Sequence, residues 1–427
     1  MILYILYNIT ISLSYPVIAA YLLIQSLKTD KFSGTIRERL AFYGEKAAGK
    51  PAGRTIWIHA VSVGEAVGAT PLIRKLLEET GARLIVSTTT KGGLQILEKN
   101  FGESIIAVFC PLDFAWVVRR AMSAFRPDAL IIMETELWPN LINASSRRGI
   151  PVLLFNGRVS DRMWSTARPI KKMYAWLFEK MSALGMQTER DAERIRSLGA
   201  AAGKVRVLGN MKFDASPAGP DAEKLDELRG IIAPDRRPVF VAGSTHPGED
   251  GLILSVYEKL LERDKSLRLV IAPRHIERAA EVQKTAGSRG YQTALRSSLT
   301  RETPAAAPVV VLDTIGELRC LYSIATVCFV GGSLVERGGH NVLEPAACGK
   351  AVFYGPYMMN FTESARILEE GGGGIRVKDA GELAARAGEY LSSVELRGRL
   401  DENALNVIRR NAGATERAYL LFREFFK

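Results

Sequence analysis

A chain of 427 residues, 47% hydrophobic and 24% charged, has apolar material for more than one core and excludes a disordered or low-complexity protein. Its net charge of +11 points to acidic partners: a membrane surface, phosphorylated substrates or nucleic acid. Cys110, Cys320, Cys328 and Cys348 form no CxxC pair, and His59, His246, His275 and His340 are scattered along the chain, which fits a reducing compartment and excludes a structural zinc module.

In chain order, residues 1–27 carry no charged side chain, and 20 of them are apolar or tyrosine, which predicts a membrane anchor. Asn8, Ser12, Ser14, Pro16 and Gln25 interrupt the run, so spanning the bilayer and lying in its plane are both open. Seven basic residues against three acidic ones between Lys28 and Arg54 place the body on the cytoplasmic side. Short apolar runs at 55–61, 83–89, 104–109, 129–135, 151–157 and 205–210 then alternate with helical patterns, the signature of a parallel sheet in an α/β domain spanning 28–213. The Pro-, Ala- and Asp-rich segment 214–224 reads as a linker. Beyond it the runs 238–244, 267–274, 309–313, 327–333 and 351–356 predict a second α/β domain over 225–427, whose last helices pack back on the body. Neither half has GxGxxG or a Walker loop after its first strand.

Ligands of open α/β sheets bind beyond the carboxyl ends of the strands, so the residues there are the candidates. In the second half these are Ser244, Thr245 and His246, then Arg274 and His275, then Asp313, then Gly331–Ser333. Glycines 331, 332, 338 and 339 would let backbone N–H groups approach a phosphate, with a helix starting near Asn341 adding its positive end. Asn341 and Glu344 also read as a cap and its capping-box partner; a carboxylate in that turn suits a ribose diol, and Arg274 suits phosphate. In the first half, Glu65 ends the small-residue turn HAVSVGE and is either the partner of Ser62 in a capping box or a general base. A helix start lowers a carboxyl pKa, so a base there needs an opposing shift from a drier site. Glu134 and Glu136 put two carboxylates at the end of a buried strand. Arg158 opens a stretch with Arg162, Arg168, Lys171 and Lys172 interleaved with Trp164, Tyr174 and Trp176; it reads as a lipid-headgroup or phosphorylated-acceptor surface, or as a solvated basic face. No recognisable nucleic-acid module accompanies it.

The segments HAVSVGE (59–65), ETELWPN (134–140), NGRVSDR (156–162), VLGNMKFD (207–214), GSTHPGED (243–250), APRH (272–275) and GGHNVLEPA (339–347) together resemble the Kdo transferases of lipopolysaccharide assembly over nearly the whole chain. The resemblance implies the GT-B fold, two Rossmann-like domains facing across a cleft. It also implies transfer of 3-deoxy-D-manno-oct-2-ulosonic acid (Kdo) from CMP-Kdo to the lipid A precursor, lipid IVA, with inversion and no metal or cofactor, at the cytoplasmic side of the bacterial inner membrane. By the same resemblance Glu65 is the general base, Glu134, Glu136 and Arg158 lie on the acceptor side, and Ser244, Thr245, Arg274, His275, Asn341 and Glu344 bind the donor. Glu336 and Val342 stand where the family commonly has proline, and Tyr357 where it has histidine. The alternatives are a GT-B enzyme using another nucleotide sugar, or a sugar-nucleotide epimerase.

Overall fold

The computed structural model describes residues 2–14, 35–47, 53–214 and 222–426. They form two units, one built from 1–215 and 412–427, the other from 216–411. Most of the predicted linker and of the second half of the predicted anchor lies outside the described residues.

The first unit is a seven-stranded parallel sheet in the order β3-β2-β1-β4-β5-β6-β7. Its strands are β1 (Thr55–His59), β2 (Arg83–Thr88), β3 (Ile106–Phe109), β4 (Ala129–Met133), β5 (Val152–Gly157), β6 (Ala183–Met186) and β7 (Val205–Val207). Helices cover both faces, so the central strands are buried throughout, as their unbroken apolar runs require. Successive residues of β1 feed opposite cores: Trp57 packs with Phe125 and Leu130, Ile56 and Ile58 with Leu72 and Leu84. The second core is closed by the C-terminal helix, whose Ala414, Ala418 and Phe422 enter it.

The second unit repeats the plan with order β10-β11-β9-β8-β12-β13-β14. Its strands are β8 (Val239–Thr245), β9 (Arg268–Pro273), β10 (Thr293–Leu295), β11 (Val309–Val311), β12 (Val327–Val330), β13 (Val352–Tyr354) and β14 (Gly374–Arg376). The sequence pattern missed β6, β10 and β14. Each has three or four residues and too few β-branched side chains to stand out, and each is held by a neighbour's ladder.

The helices that matter for the sites are α1 (Ile2–Leu13), α2 (Val63–Thr80), α3 (Pro139–Ser146), α4 (Lys171–Glu179), α5 (Asp250–Leu261) and α6 (Leu343–Ala347). Helix α2 starts at the Ser62 cap and stops at Gly81, whose φ of +60° favours glycine. Of the two forms left open for the single N-terminal anchor, the spanning one is not found among the described residues: none of their helices is long and apolar enough to cross a membrane. At 12 residues α1 is about 18 Å long, against a hydrocarbon core of about 30 Å. Its polar face instead docks on the first unit. Tyr4 Oη donates to Asn140 Oδ1 (2.6 Å), Tyr7 Oη to Asp113 Oδ2 (2.8 Å), and Asn140 Nδ2 to Asn8 Oδ1 (2.9 Å). The same Asp113 carboxylate accepts the Asn140 and Leu141 N–H groups at the start of α3.

Candidate functional site

In each unit the candidate residues collect at the carboxyl ends of the parallel strands. Two of them, Glu134 and Ser244, and the neighbouring Asn156 sit in strained backbone, with φ of +52°, +59° and +55°. The left-handed region costs a non-glycine residue about 1–2 kcal/mol, so neighbouring contacts must hold it there. Asn156 shows how: its Oδ1 accepts the Met211 N–H (3.0 Å) and its carbonyl accepts from Gln187 Nε2 (2.9 Å).

Glu65 lies in the first turn of α2 and is only 6% exposed. Ser62 Oγ accepts the Glu65 N–H (3.3 Å) and donates to Glu65 Oε1 (3.0 Å), while the Val61 N–H donates to Oε2 (2.8 Å). Ser62 therefore caps the helix, with the Glu65 carboxylate reaching back to the N–H one residue before the cap, and the two bonds it accepts favour its charged form. Burial and the nearby charges of Glu134 and Glu136 outweigh them and push the Glu65 carboxyl up to about 7. The opposing shift that a base at a helix start requires is thus supplied within the first unit.

Glu134 pairs with Lys212, Nζ to Oε1 2.7 Å. Glu136 accepts from Trp138 Nε1 (3.3 Å), and Trp138 meets the edge of His59. His59 is fully buried against Ser87 Oγ (2.9 Å), and burial drives its pKa down to about 3, so it supports the site as a neutral ring. Thr135, between the two glutamates, receives the Arg158 N–H (2.9 Å) and donates back to the Arg158 carbonyl. Glu65, Glu134, Glu136 and Arg158 are thus brought together. Lys212, the cation among them, was not singled out from sequence, although it follows Gly209 and Asn210 at the end of a strand; Asn210 Oδ1 fixes its N–H at 3.0 Å.

In the second unit Thr245 Oγ1 donates to Asp250 (2.6 Å), and the Thr245 carbonyl accepts the Arg274 N–H (2.9 Å), joining the ends of β8 and β9. Asp250 also pairs with Arg278. The side chains of Arg274 and His275 are exposed at this edge. Asn341 Oδ1 accepts the Leu343 N–H (3.1 Å) and its Nδ2 donates to Glu344 Oε1 (3.1 Å), so Asn341 closes a turn just ahead of the helix, whose cap is Val342, and is not itself the cap that the spacing suggested. Burial raises the Glu344 carboxyl, with Asn341 and Arg319 opposing.

The glycine-lined phosphate cradle expected at 331–339 is not assembled in this way. The N–H groups of Gly332, Ser333 and Leu334 are taken by the buried Glu249 carboxylate (2.7, 3.1 and 3.0 Å), which also accepts the His246 N–H. Gly331 donates to the Gly243 carbonyl and Gly339 to that of Gly332. Helix α6, at five residues, is too short to add a helix dipole of consequence. Glu249 was not identified from sequence because three of its four backbone partners are more than 80 residues away.

The family model described as 3-deoxy-D-manno-octulosonic-acid transferase (kdotransferase) matches residues 34–215. A 3-deoxy-D-manno-octulosonic acid transferase of Haemophilus influenzae is 35% identical over 99% of this chain and 98% of its own length. The chain belongs to the Kdo transferase family. The Bordetella pertussis transferase is 32% identical over 88% of this chain and 89% of its own. A glycosyltransferase from Rickettsia africae has the same fold at 15% identity, with a TM-score of 0.54 over 88% of this chain and 99% of its own. So does a UDP-GlcNAc 2-epimerase from Neisseria meningitidis, at 15% identity and TM-score 0.53 over 84% and 99%. The protein is a glycosyltransferase of GT-B fold.

Proposed function

We propose that this Kdo transferase moves Kdo from CMP-Kdo to the lipid A precursor, lipid IVA, with inversion at the anomeric carbon and Glu65 as general base. The observation that carries the reading is the Glu65 carboxyl itself, buried, oriented by Ser62 and Val61, and held near neutrality beside Glu134 and Glu136. Glu65 takes the proton of the acceptor hydroxyl as that oxygen attacks the anomeric carbon, and CMP departs from the opposite face. Lys212 and Arg158 supply positive charge to a phosphorylated acceptor. Arg274 and His275 meet the donor phosphate, Ser244 and Thr245 line the same edge, and Asn341 with Glu344 addresses the ribose.

The acceptor reading draws support from the surface beside it. Helix α1 turns Leu6 and Ile9 outward, each about half exposed, and its Tyr4 packs at a tilt against Trp176 of α4, ring centroids 4.7 Å apart. The neighbouring Arg162, Lys171 and Lys172 are exposed and form no ion pair with a described carboxylate. An apolar helix face edged by unpaired cations suits in-plane attachment to an anionic membrane, on the cytoplasmic side.

Incubation of the purified protein with CMP-Kdo and tetraacyl lipid IVA, followed by mass spectrometry, tests the reaction and counts the sugars added. Product is expected with CMP-Kdo; preferential binding of UDP over CMP overturns the donor assignment. Leu6→Glu with Ile9→Glu is expected to abolish co-sedimentation with anionic vesicles, and unchanged sedimentation refutes the membrane face.

A further inference from the structure

Three of the chain's four histidines, far apart in sequence, converge at the strand ends of the second unit. His246 Nε2 and His340 Nε2 lie 2.8 Å apart with their rings parallel, 4° between planes and 5.1 Å between centroids. His275 stands edge-on to His246 at 6.2 Å. At 2.8 Å two lone pairs or two N–H groups would repel, so one ring presents N–H and the other a lone pair. The donating ring keeps a free lone pair on its Nδ1. A proton added there turns a neutral N–H···N bond into a stronger, charge-assisted one. Gly332 presses against both rings: a Cβ at that position would sit 3.1 Å from His246 and 3.2 Å from His340.

The groups around the pair are mostly cationic. Arg274, His275 and Arg278 face it from the end of β9, and Arg337 from the loop after β12. The nearby carboxylates are engaged elsewhere: Glu249 accepts four backbone N–H groups, and Asp250 binds Arg278 and Thr245. Burial first, and then these cations, hold both rings below the ordinary histidine range, His340 down to about 4. The unliganded pair is therefore neutral at physiological pH, in a field that an arriving anion would cancel.

We propose that the His246–His340 pair is a proton-accepting contact of the donor site, so that binding of the nucleotide phosphate is coupled to uptake of one proton by the pair. This rests on the donor-site reading above. The proton comes from solvent and adds to the outer nitrogen of the donating ring; no other bond forms or breaks. The bound state has the higher pKa, so affinity is greatest at low pH. It falls by at most about tenfold per pH unit as pH rises from the free to the bound value, and is flat above it.

The test is isothermal titration calorimetry of the full chain with cytidine 5′-(methyl phosphate), a diester with no ionisation between about pH 5 and 8. Runs at pH 6.5 in buffers of different ionisation heat count the protons exchanged. Wild type is expected to take up between about 0.3 and one proton per ligand. His246→Gln and His340→Gln, which keep a polar group near Nε2 but cannot titrate, are expected to lose the uptake and to bind about three- to tenfold more weakly, whereas His275→Gln, which loses a phosphate contact, binds more weakly but keeps the uptake. Binding to wild type without proton exchange overturns the proposal whether or not the variants fold, and loss of uptake in His275→Gln alone overturns it by moving the proton to His275. If the uridine diester binds and the cytidine one does not, the CMP reading fails, while the same proton count with the uridine ligand still decides the pair. Binding of neither overturns both.

Discussion

Glu65 stands three residues after the serine that caps its helix and Glu344 three residues after Asn341, whose side chain closes a turn just before the helix, and the fold makes different groups of them. Glu65 heads an 18-residue helix, accepts from a backbone N–H and a hydroxyl, and has two other carboxylates for neighbours. Glu344 heads a five-residue helix, accepts from the Asn341 amide, and has the Arg319 charge opposing its upward shift. Spacing alone is symmetrical between them. On the roles proposed above, what separates a base from a binding carboxylate is the sign of the charge that long-range folding delivers beside it: acidic at the end of β4, basic near α6.

The sharpest way to break that comparison is to neutralise each glutamate in turn. Glu65→Gln is expected to lower kcat by about 10²–10⁴-fold with CMP affinity unchanged, read by steady-state transfer assays and CMP titration. Near-wild-type turnover would leave Glu65 as a cap and nothing more. The same substitution carries a stability signature. The folded pKa of about 7 lies above the usual carboxyl value, so this group's contribution is full below about 4.5 and is lost as pH rises through 7, amounting to about 3 kcal/mol. Thermal melts of Glu65→Gln should therefore match wild type near pH 4.5 and exceed it at pH 8. Glu344→Gln, by contrast, is expected to weaken CMP binding about tenfold with little change in kcat at saturating donor, as befits a carboxylate that holds substrate without moving a proton.

The sequence exposes the two sheets well, because strands buried on both faces are written as apolar runs: β1, β4 and β5 in the first unit, β8, β9 and β12 in the second. It also exposes Glu65, Glu134 and Glu136, since strand ends are where polar residues abruptly interrupt those runs. What stayed hidden depends on pairs distant in the chain. Glu249 looks like one acid in GSTHPGED until the Gly332–Leu334 N–H groups close on it from 83 residues away or more. The histidines look scattered until β8 and β12 pair and bring His246 against His340. Lys212 is a surface cation in the sequence and the counter-ion of Glu134 in the fold, 78 residues apart.

That ion pair offers the finest adjustment of the comparison. Lys212 Nζ lies 2.7 Å from Glu134 Oε1, with both side chains partly exposed, so solvent screens the pair and the expected effect is small. Glu134 raises the Glu65 carboxyl by its charge, and Lys212 tempers that charge. Lys212→Met leaves Glu134 unopposed, so Glu65 binds its proton more tightly and the acid limb of the kcat/KM profile moves above pH 7. A shift of about half a pH unit should lower kcat/KM at pH 7 about twofold relative to its plateau near pH 8.5, in addition to a pH-independent loss from the acceptor contact. Glu134→Gln removes the repelling charge and should move the limb the opposite way, below pH 7. Opposite displacements by two substitutions at one contact cannot come from a general loss of stability, which would lower the whole profile without moving its limb. If both variants keep the wild-type limb, the charge at the end of β4 does not reach Glu65, and burial alone must set the base.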